Sequence, residues 1–148
     1  MNSASPMKLH LQQPLSYTHI LENPKQCDQA FDMLLGKLEE SPVGSDGCMV
    51  CSATMTDELC ILSCHTVAFR EPEEKEPGLI AIPMGTYLFS QLSFPPQTGS
   101  ALIPLLNRFV LSVDCQQEDE LQLFVRVYKE RESDFAVQLI TATQTTRE

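Results

Sequence analysis

Apolar and polar residues alternate over several short segments of the chain. At the start, Met7, Leu9 and Leu11 are separated by polar residues, and the same period of two returns at residues 121–128. This alternation predicts β-strands that bury one face. The apolar segments at 48–55, 59–69, 79–92 and 135–143 are also interpreted as strands, and residues 15–21 continue the extended start of the chain.

Two other segments repeat their apolar residues every three or four positions, which is the period of an amphipathic helix. The first helix is predicted to begin at Asn23-Pro24, since asparagine caps helices and proline fits their first position. The second helix is predicted to begin near Ser100, with Pro104 in its first turn, where proline is tolerated. The apolar stripe of the first helix is formed by Cys27, Ala30, Phe31, Leu34, Leu35 and Leu38.

The predicted elements follow the order strand, helix, strand, strand, and this order occurs twice. It predicts an α+β fold: an antiparallel sheet built from two β-α-β-β pseudo-repeats, with the helices on one face. We interpret residues 7–143 as a single domain, with half-repeats at about 7–70 and 78–143. Residues 1–6 are predicted to be a disordered tail, and the charged segment 71–77 is predicted to connect the halves.

The composition argues against two classes of partner. The chain has 148 residues, of which 43% are apolar, and a net charge of -10 without a cluster of lysine and arginine. Nucleic acid and anionic membranes attract basic surfaces, so we expect neither to bind directly. The sequence also lacks an apolar run long enough for a membrane span or a signal peptide. We therefore expect a cytoplasmic protein whose six cysteines are free thiols.

The segment at residues 82–87, I-P-M-G-T-Y, resembles the I-P-x-G-x-Y strand of the GyrI-like family. This family is the effector-binding domain of multidrug-sensing regulators and DNA gyrase inhibitory proteins. The similarity in the order of elements extends over residues 7–143. It implies two β-α-β-β halves with a ligand cleft between them, and a stand-alone, non-enzymatic, regulatory domain that binds a small molecule. Transcription regulation would need a separate DNA-binding protein, because no segment is left over for a helix-turn-helix.

Members of the family often carry Glu-x-Tyr on the strand after the second helix, where the Glu attracts cationic drugs. The matching segment here is Arg126-Val127-Tyr128, so Tyr128 fits the motif and Arg126 stands in place of the Glu. An arginine offers a planar fork to a carboxylate or a phosphate. We therefore expect a small organic ligand with an anionic or strongly polar group.

The alternation along this strand places Phe124, Arg126 and Tyr128 on one face. Together with Tyr87, these residues form the candidate ligand-binding site, because a cleft wall combines apolar area with a few orienting polar groups. The alternative is a solvent-facing strand on which Arg126 pairs with a neighbouring carboxylate.

Cysteine and histidine suggest other chemistry more weakly. Cys48, Cys51, Cys60, Cys64 and His65 have spacings that resemble those of zinc ligands. Strand geometry would turn Cys48 and Cys51 to opposite faces, so buried thiols are favoured and no metal or other cofactor is predicted. No nucleophile motif identifies catalytic residues. The alternatives to ligand binding are a protein-interaction module that inhibits or modulates a partner protein, a hydrolase, and a haem binder of the related SOUL family.

Overall fold

The structure, a computed structural model, describes residues 7–21, 26–55, 60–73, 78, 80–92, 95–112 and 120–141. Its helices are α1 (Cys27–Glu39) and α2 (Gly99–Ser112). Its strands are β1 (Met7–Leu11), β2 (Leu15–Tyr17), β3 (His19–Ile20), β4 (Asp46–Met55), β5 (Cys60–Arg70), β6 (Ile80–Ile82), β7 (Gly85–Gln91), β8 (Glu120–Arg131) and β9 (Asp134–Thr141). The predicted tail at residues 1–6 lies outside the described residues.

Seven of these strands form one antiparallel sheet in the order β1-β7-β9-β8-β4-β5-β3. The other two, β2 and β6, pair with each other in a separate ribbon. The α+β class and the antiparallel sheet that the sequence predicted are confirmed. No helix in the part of the chain described above is long and apolar enough to span a membrane.

The main core lies between the two helices and one face of the sheet. Leu34 of α1 and Leu106 of α2 are fully buried there, together with Val125 of β8. Helix α1 packs on β4, β5 and β8, and also on α2. Each large apolar side chain buried in this way stabilises the fold by about 1.5–3 kcal/mol. The apolar sides of the two helices therefore face the odd-numbered positions of β8. This arrangement agrees with the apolar period of three to four in the helices and of two in the strand.

Two close contacts hold α1 in place. A Cβ atom at Gly47 of β4 would lie 2.4 Å from Leu34 Cδ1, so a residue without a side chain lets the helix approach the strand. On the same helix, Asp32 Oδ1 accepts a hydrogen bond of 2.7 Å from the backbone N–H of Gly99. Gly99 is the first residue of α2, where a negative charge is favourable. This contact joins the two helices.

A buried lysine closes the turn between α1 and β4. Lys129 is 3% exposed, and its Nζ donates to the backbone oxygens of Glu39 at 3.1 Å and Ser41 at 2.9 Å. These carbonyls lie at the C-terminal end of α1, where a positive charge is favourable. The backbone of Lys129 also bonds to Gly44 and Ser45 in the same turn. Lys129 thereby fixes the point at which β4 begins.

Helix α1 begins later than the sequence predicted. Its first residue is Cys27, and the preceding Gln26 makes no capping hydrogen bond with its side chain. The predicted cap and first residue, Asn23 and Pro24, lie outside the described residues.

Helix α2 corrects the prediction for its proline. The helix begins at Gly99, and Thr98 Oγ1 accepts a hydrogen bond from the backbone N–H of Ala101. Pro104 therefore lies in the second turn and not in the first. The helix tolerates it because Pro104 and Ser100 are both exposed, so water can reach the Ser100 carbonyl that lacks its usual donor.

The face of the sheet opposite the helices carries a second, smaller apolar cluster. The β2–β6 ribbon packs on it through Tyr17 and Ile82. We call this side of the sheet, which carries Cys48, Arg126 and Gln138 in one row across β4, β8 and β9, the ribbon face. On the ribbon face, polar side chains such as Arg126 and Gln138 lie beside the residues of this apolar cluster.

Candidate functional site

An ion pair between Asp46 and Arg126 lies in the middle of the ribbon face. An Nη atom of Arg126 donates to Asp46 Oδ2 at 2.9 Å, and Nε lies 3.1 and 3.3 Å from the two carboxylate oxygens. The residues are diagonal neighbours, since Asp46 is opposite Tyr128 and Arg126 is opposite Cys48. The side chains of Arg126 and Asp46 are 19% and 14% exposed, so water screens their attraction only in part.

Hydrogen bonds extend the ion pair into a row of five polar side chains. The Tyr17 hydroxyl donates to Asp46 Oδ1 at 3.3 Å, and the second Nη atom of Arg126 donates to Gln138 Oε1 at 3.2 Å. Gln138 Nε2 in turn donates to Gln91 Oε1 at 3.2 Å. We call these residues, Tyr17, Asp46, Arg126, Gln138 and Gln91, the polar row. The polar row crosses five strands and ends at Gln91, which is exposed.

Burial determines the protonation of the polar row. It raises the pKa of Tyr17 well above the ordinary value, so the hydroxyl stays protonated and donates. The pKa of Asp46 is also raised, because burial outweighs the hydrogen bond and the charge of Arg126. Burial acts to lower the pKa of Arg126, but the hydrogen bond and the charge of Asp46 raise it. The ion pair therefore stabilises the charged form of Arg126, whereas the ionised form of Asp46 stays less favourable than it would be in water.

Three of the four predicted site residues lie together on β8. Phe124, Arg126 and Tyr128 all point to the ribbon face and are half-buried. The guanidinium carbon of Arg126 lies 5.0 Å from the centre of the Tyr128 ring, within the range of a cation–π contact. Arg126 is also paired with a carboxylate, which was the alternative to a free arginine in the cleft. The Tyr128 hydroxyl donates to Glu130 at 3.1 Å.

The fourth predicted residue, Tyr87, lies on the same face but is fully buried. Its hydroxyl donates to the backbone oxygen of Pro83 at 2.7 Å. It packs in the second apolar cluster with Phe124 and Ile140. Its role as a ligand-binding residue stays a prediction, and in this structure its side chain is part of the second apolar cluster.

Sequence reasoning missed four members of the polar row: Tyr17, Asp46, Gln138 and Gln91. One signal was available for Gln138, which interrupts an otherwise apolar strand at 135–140. A buried amide in such a strand needs a hydrogen-bond partner. The partner of Asp46 could not be read from the sequence, because Arg126 is 80 residues away along the chain.

Two hollows lie beside β8 and β9 in the described part of the chain, and the polar row reaches the larger of them. One, of about 640 Å³, adjoins Tyr128 and is lined also by Val43, Glu130 and Asp134. A larger one, of about 900 Å³, includes Gln91 in its lining. Apolar and acidic side chains share the wall of the larger hollow, among them Leu35, Glu39, Leu92, Glu130, Asp134 and Phe135.

A serine and a histidine meet elsewhere on the ribbon face. Ser52 Oγ lies 2.9 Å from His65 Nε2 and 3.1 Å from Ser63 Oγ. Nucleophilic catalysis needs a further group that orients the histidine, and no carboxylate in the described part of the chain bonds to His65. The contact links β4 and β5 beside a register shift at Val50 and Cys51.

The cysteines that the structure describes are distributed over both faces of the sheet. Cys48 belongs to the ribbon-face cluster and Cys51 to the main core, so these two point to opposite sides as predicted. Cys27, Cys48, Cys51 and Cys64 are all buried and free. Among the residues that the structure describes, no group of three or more His, Cys, Asp or Glu side chains could hold a metal ion. The side chain of Cys60 lies outside them.

Comparison with known proteins gave no relative on which to base a function. No family model matches the chain, and no curated protein or solved structure matches it with significance. We therefore infer the function from the geometry of the ribbon face.

Proposed function

We propose that the chain is a non-enzymatic domain that binds a small organic molecule in the larger hollow, at the Gln91 end of the polar row, and acts in regulation. The observation that carries this proposal is the end of the polar row: Gln91 is part of the row and also lines the 900 Å³ hollow. Ligand sites combine apolar walls with a few polar groups held in fixed positions. The hydrogen bond from Gln138 holds the Gln91 amide, and the hollow supplies the apolar wall.

The charges around the hollow favour a neutral or cationic ligand. The guanidinium of Arg126 already faces Asp46 and Gln138, so it offers little to an incoming anion. Glu39, Glu130 and Asp134 line the hollow, and no lysine or arginine is among its described lining residues. We therefore propose an amphipathic ligand without negative charge, in place of the anionic ligand that Arg126 alone suggested.

The order of the strands supports the proposed GyrI-like architecture of two β-α-β-β halves. In the first half, α1 lies between β3 and a hairpin, β4–β5, whose second strand pairs with β3. In the second half, α2 lies between β7 and a hairpin, β8–β9, whose second strand pairs with β7. The halves join through β4 and β8, which is where the ion pair lies.

The first test is a comparison of the native and denatured masses of the freshly purified chain. A trapped ligand would add mass that is lost on denaturation. The second test uses one aromatic skeleton that carries an amine, an amide or a carboxylate, with binding followed by ligand-observed NMR. We expect the amine and the amide to bind and the carboxylate to bind least.

Two matched glutamine variants locate the site. Gln91 and Gln122 are both exposed and both lie on the ribbon face. Gln91 lines the larger hollow, whereas Gln122 is not among the described residues that line either of the two hollows. Gln91→Ala is expected to weaken binding of the amine, and Gln122→Ala is expected to leave it unchanged. Preferential binding of the carboxylate, or equal effects of the two variants, would refute the proposal.

A second candidate function, a protein-interaction module, is favoured by the outer edge of β5. Strand β3 covers β5 at Ala68 and Phe69, and no other described strand pairs with that edge. Charged side chains and proline protect edge strands from pairing. Residues 60–66 on this edge include neither. Ile61 is 53% exposed there. If this edge binds a partner strand, Ile61→Lys should abolish a complex that the Gln122→Ala chain still forms.

A further inference from the structure

Two buried thiols lie directly opposite each other in the main core. Cys51 of β4 and Cys64 of β5 are partners in the antiparallel register. The Cα atoms of such partners are about 4.5–5.5 Å apart. This separation falls within the range that a disulfide spans. The backbone therefore already has the spacing that a bond between the two sulfurs requires.

The two thiols also influence each other electrostatically. The thiols of Cys27, the first residue of α1, and of Cys64 both raise the pKa of Cys51. Cys48 provides a natural contrast on the same strand, because it lies opposite Ala68 and Arg126 and faces the other side of the sheet. Direct opposition to a second thiol in the strand register therefore distinguishes Cys51 and Cys64 from Cys48.

Cys64 is the more accessible member of the pair. It is 5% exposed, whereas Cys51 is 0% exposed. It also lies on the stretch of β5 that none of the described strands covers on its outer side. The pKa of Cys64 is lowered, chiefly because Cys51 hydrogen-bonds to it, and the thiolate is the reactive form of cysteine.

We propose that Cys64 and Cys51 form a peroxide-sensitive thiol pair that closes reversibly into a disulfide between β4 and β5. The Cys64 thiolate attacks one oxygen of a hydroperoxide, the O–O bond breaks, and the leaving hydroxide or alkoxide takes up a proton. The Cys51 sulfur then attacks the sulfenic sulfur, the S–S bond forms, and water leaves with the proton of Cys51. Two thiols are oxidised and one peroxide is reduced. A dithiol reductant reverses the reaction by exchange.

The test treats the reduced full chain with hydrogen peroxide, labels it with a maleimide in denaturant, and measures its mass. The reduced chain should carry six labels, one on each of its six cysteines. The oxidised chain should lose two labels, regain them after dithiothreitol, and give a peptide that links Cys51 with Cys64. Thermal unfolding of each variant checks that it folds.

Three variants decide whether the pair is the one proposed. Cys64→Ser should keep all its remaining thiols after peroxide treatment, and Cys51→Ser should give a dimedone adduct at Cys64. The matched control Cys48→Ser should still lose two thiols. A disulfide that links other cysteines overturns the proposal, as does dimedone labelling of Cys48 before Cys64. Full retention of the six thiols under peroxide overturns it as well.

Discussion

Removing the charge of Arg126 is expected to destabilise the fold much more than removing the charge of its partner, Asp46. Arg126→Met keeps most of the side-chain length but leaves the Asp46 carboxylate, 14% exposed, with the Tyr17 hydroxyl at 3.3 Å. Loss of one partner from a buried pair costs about 3–5 kcal/mol. Because this pair is partly exposed and the carboxylate can take up a proton, we expect a cost of about 2–3 kcal/mol.

Asp46→Asn acts differently because burial already disfavours the ionised carboxylate. The pKa of Asp46 is raised, so the ionised carboxylate is less favourable in the folded chain than in the unfolded chain. The amide oxygen of asparagine can still accept hydrogen bonds from Tyr17 and Arg126. We expect a cost below about 1 kcal/mol for Asp46→Asn. The double variant should cost about 1 kcal/mol, because it no longer buries a carboxylate that has lost its arginine partner.

The pH dependence of Arg126→Met gives an independent check of this reasoning. Without the arginine, the pKa of Asp46 in the folded chain should lie further above its value in the unfolded chain. Between the two pKa values the folded chain binds more protons, so its stability rises as the pH falls through that range. The stability difference between Arg126→Met and the double variant should therefore shrink from about pH 7 to about pH 5.

Urea unfolding of the three variants and the unchanged chain, followed by far-UV circular dichroism, measures all these quantities. Circular dichroism is preferred because the chain has no tryptophan to serve as a fluorescent probe. If Asp46→Asn costs as much as Arg126→Met, attraction within the pair exceeds the cost of burial and the reasoning is wrong. Additive costs below about 0.5 kcal/mol each would mean that the pair behaves like an exposed surface pair.

Three further predictions concern the packing that supports the ribbon face. Gly47→Ala should destabilise the fold by about 1–3 kcal/mol in urea unfolding, because its Cβ would displace Leu34. The control Gly36→Ala, whose Cβ meets nothing within 4 Å, should stabilise the fold by about 0.5–1 kcal/mol. Equal effects of the two variants would contradict this view of the contact between helix and strand. Lys129→Met should cost about 1–3 kcal/mol and speed amide exchange in the turn before β4, because two backbone carbonyls lose their donor. Unchanged amide exchange would count against the role of Lys129 in holding this turn. Tyr87→Phe should cost about 1 kcal/mol without changing affinity for the amine probe, and weaker binding would restore Tyr87 to the ligand site.

Local periodicity was enough to predict both helices and most of the strands. The period of two along β8 correctly placed Phe124, Arg126 and Tyr128 on one face, and the period of three to four predicted both helices. These patterns are reliable because each depends on how one element buries one side of itself. The same reasoning correctly separated Cys48 from Cys51, since neighbouring strand positions of opposite parity face opposite sides.

Tertiary structure decided what the patterns could not contain. Asp46 and Arg126 meet because β4 and β8 pair in one register out of several, and a shift of one residue would turn one side chain to the other face. Register also placed Cys51 opposite Cys64, and packing of the second cluster buried Tyr87. The sequence by itself therefore determined the elements and their apolar faces, because these follow from neighbours along the chain. Whether the charge of Arg126 is paired or free was decided by contacts between distant residues, which depend on strand register and burial.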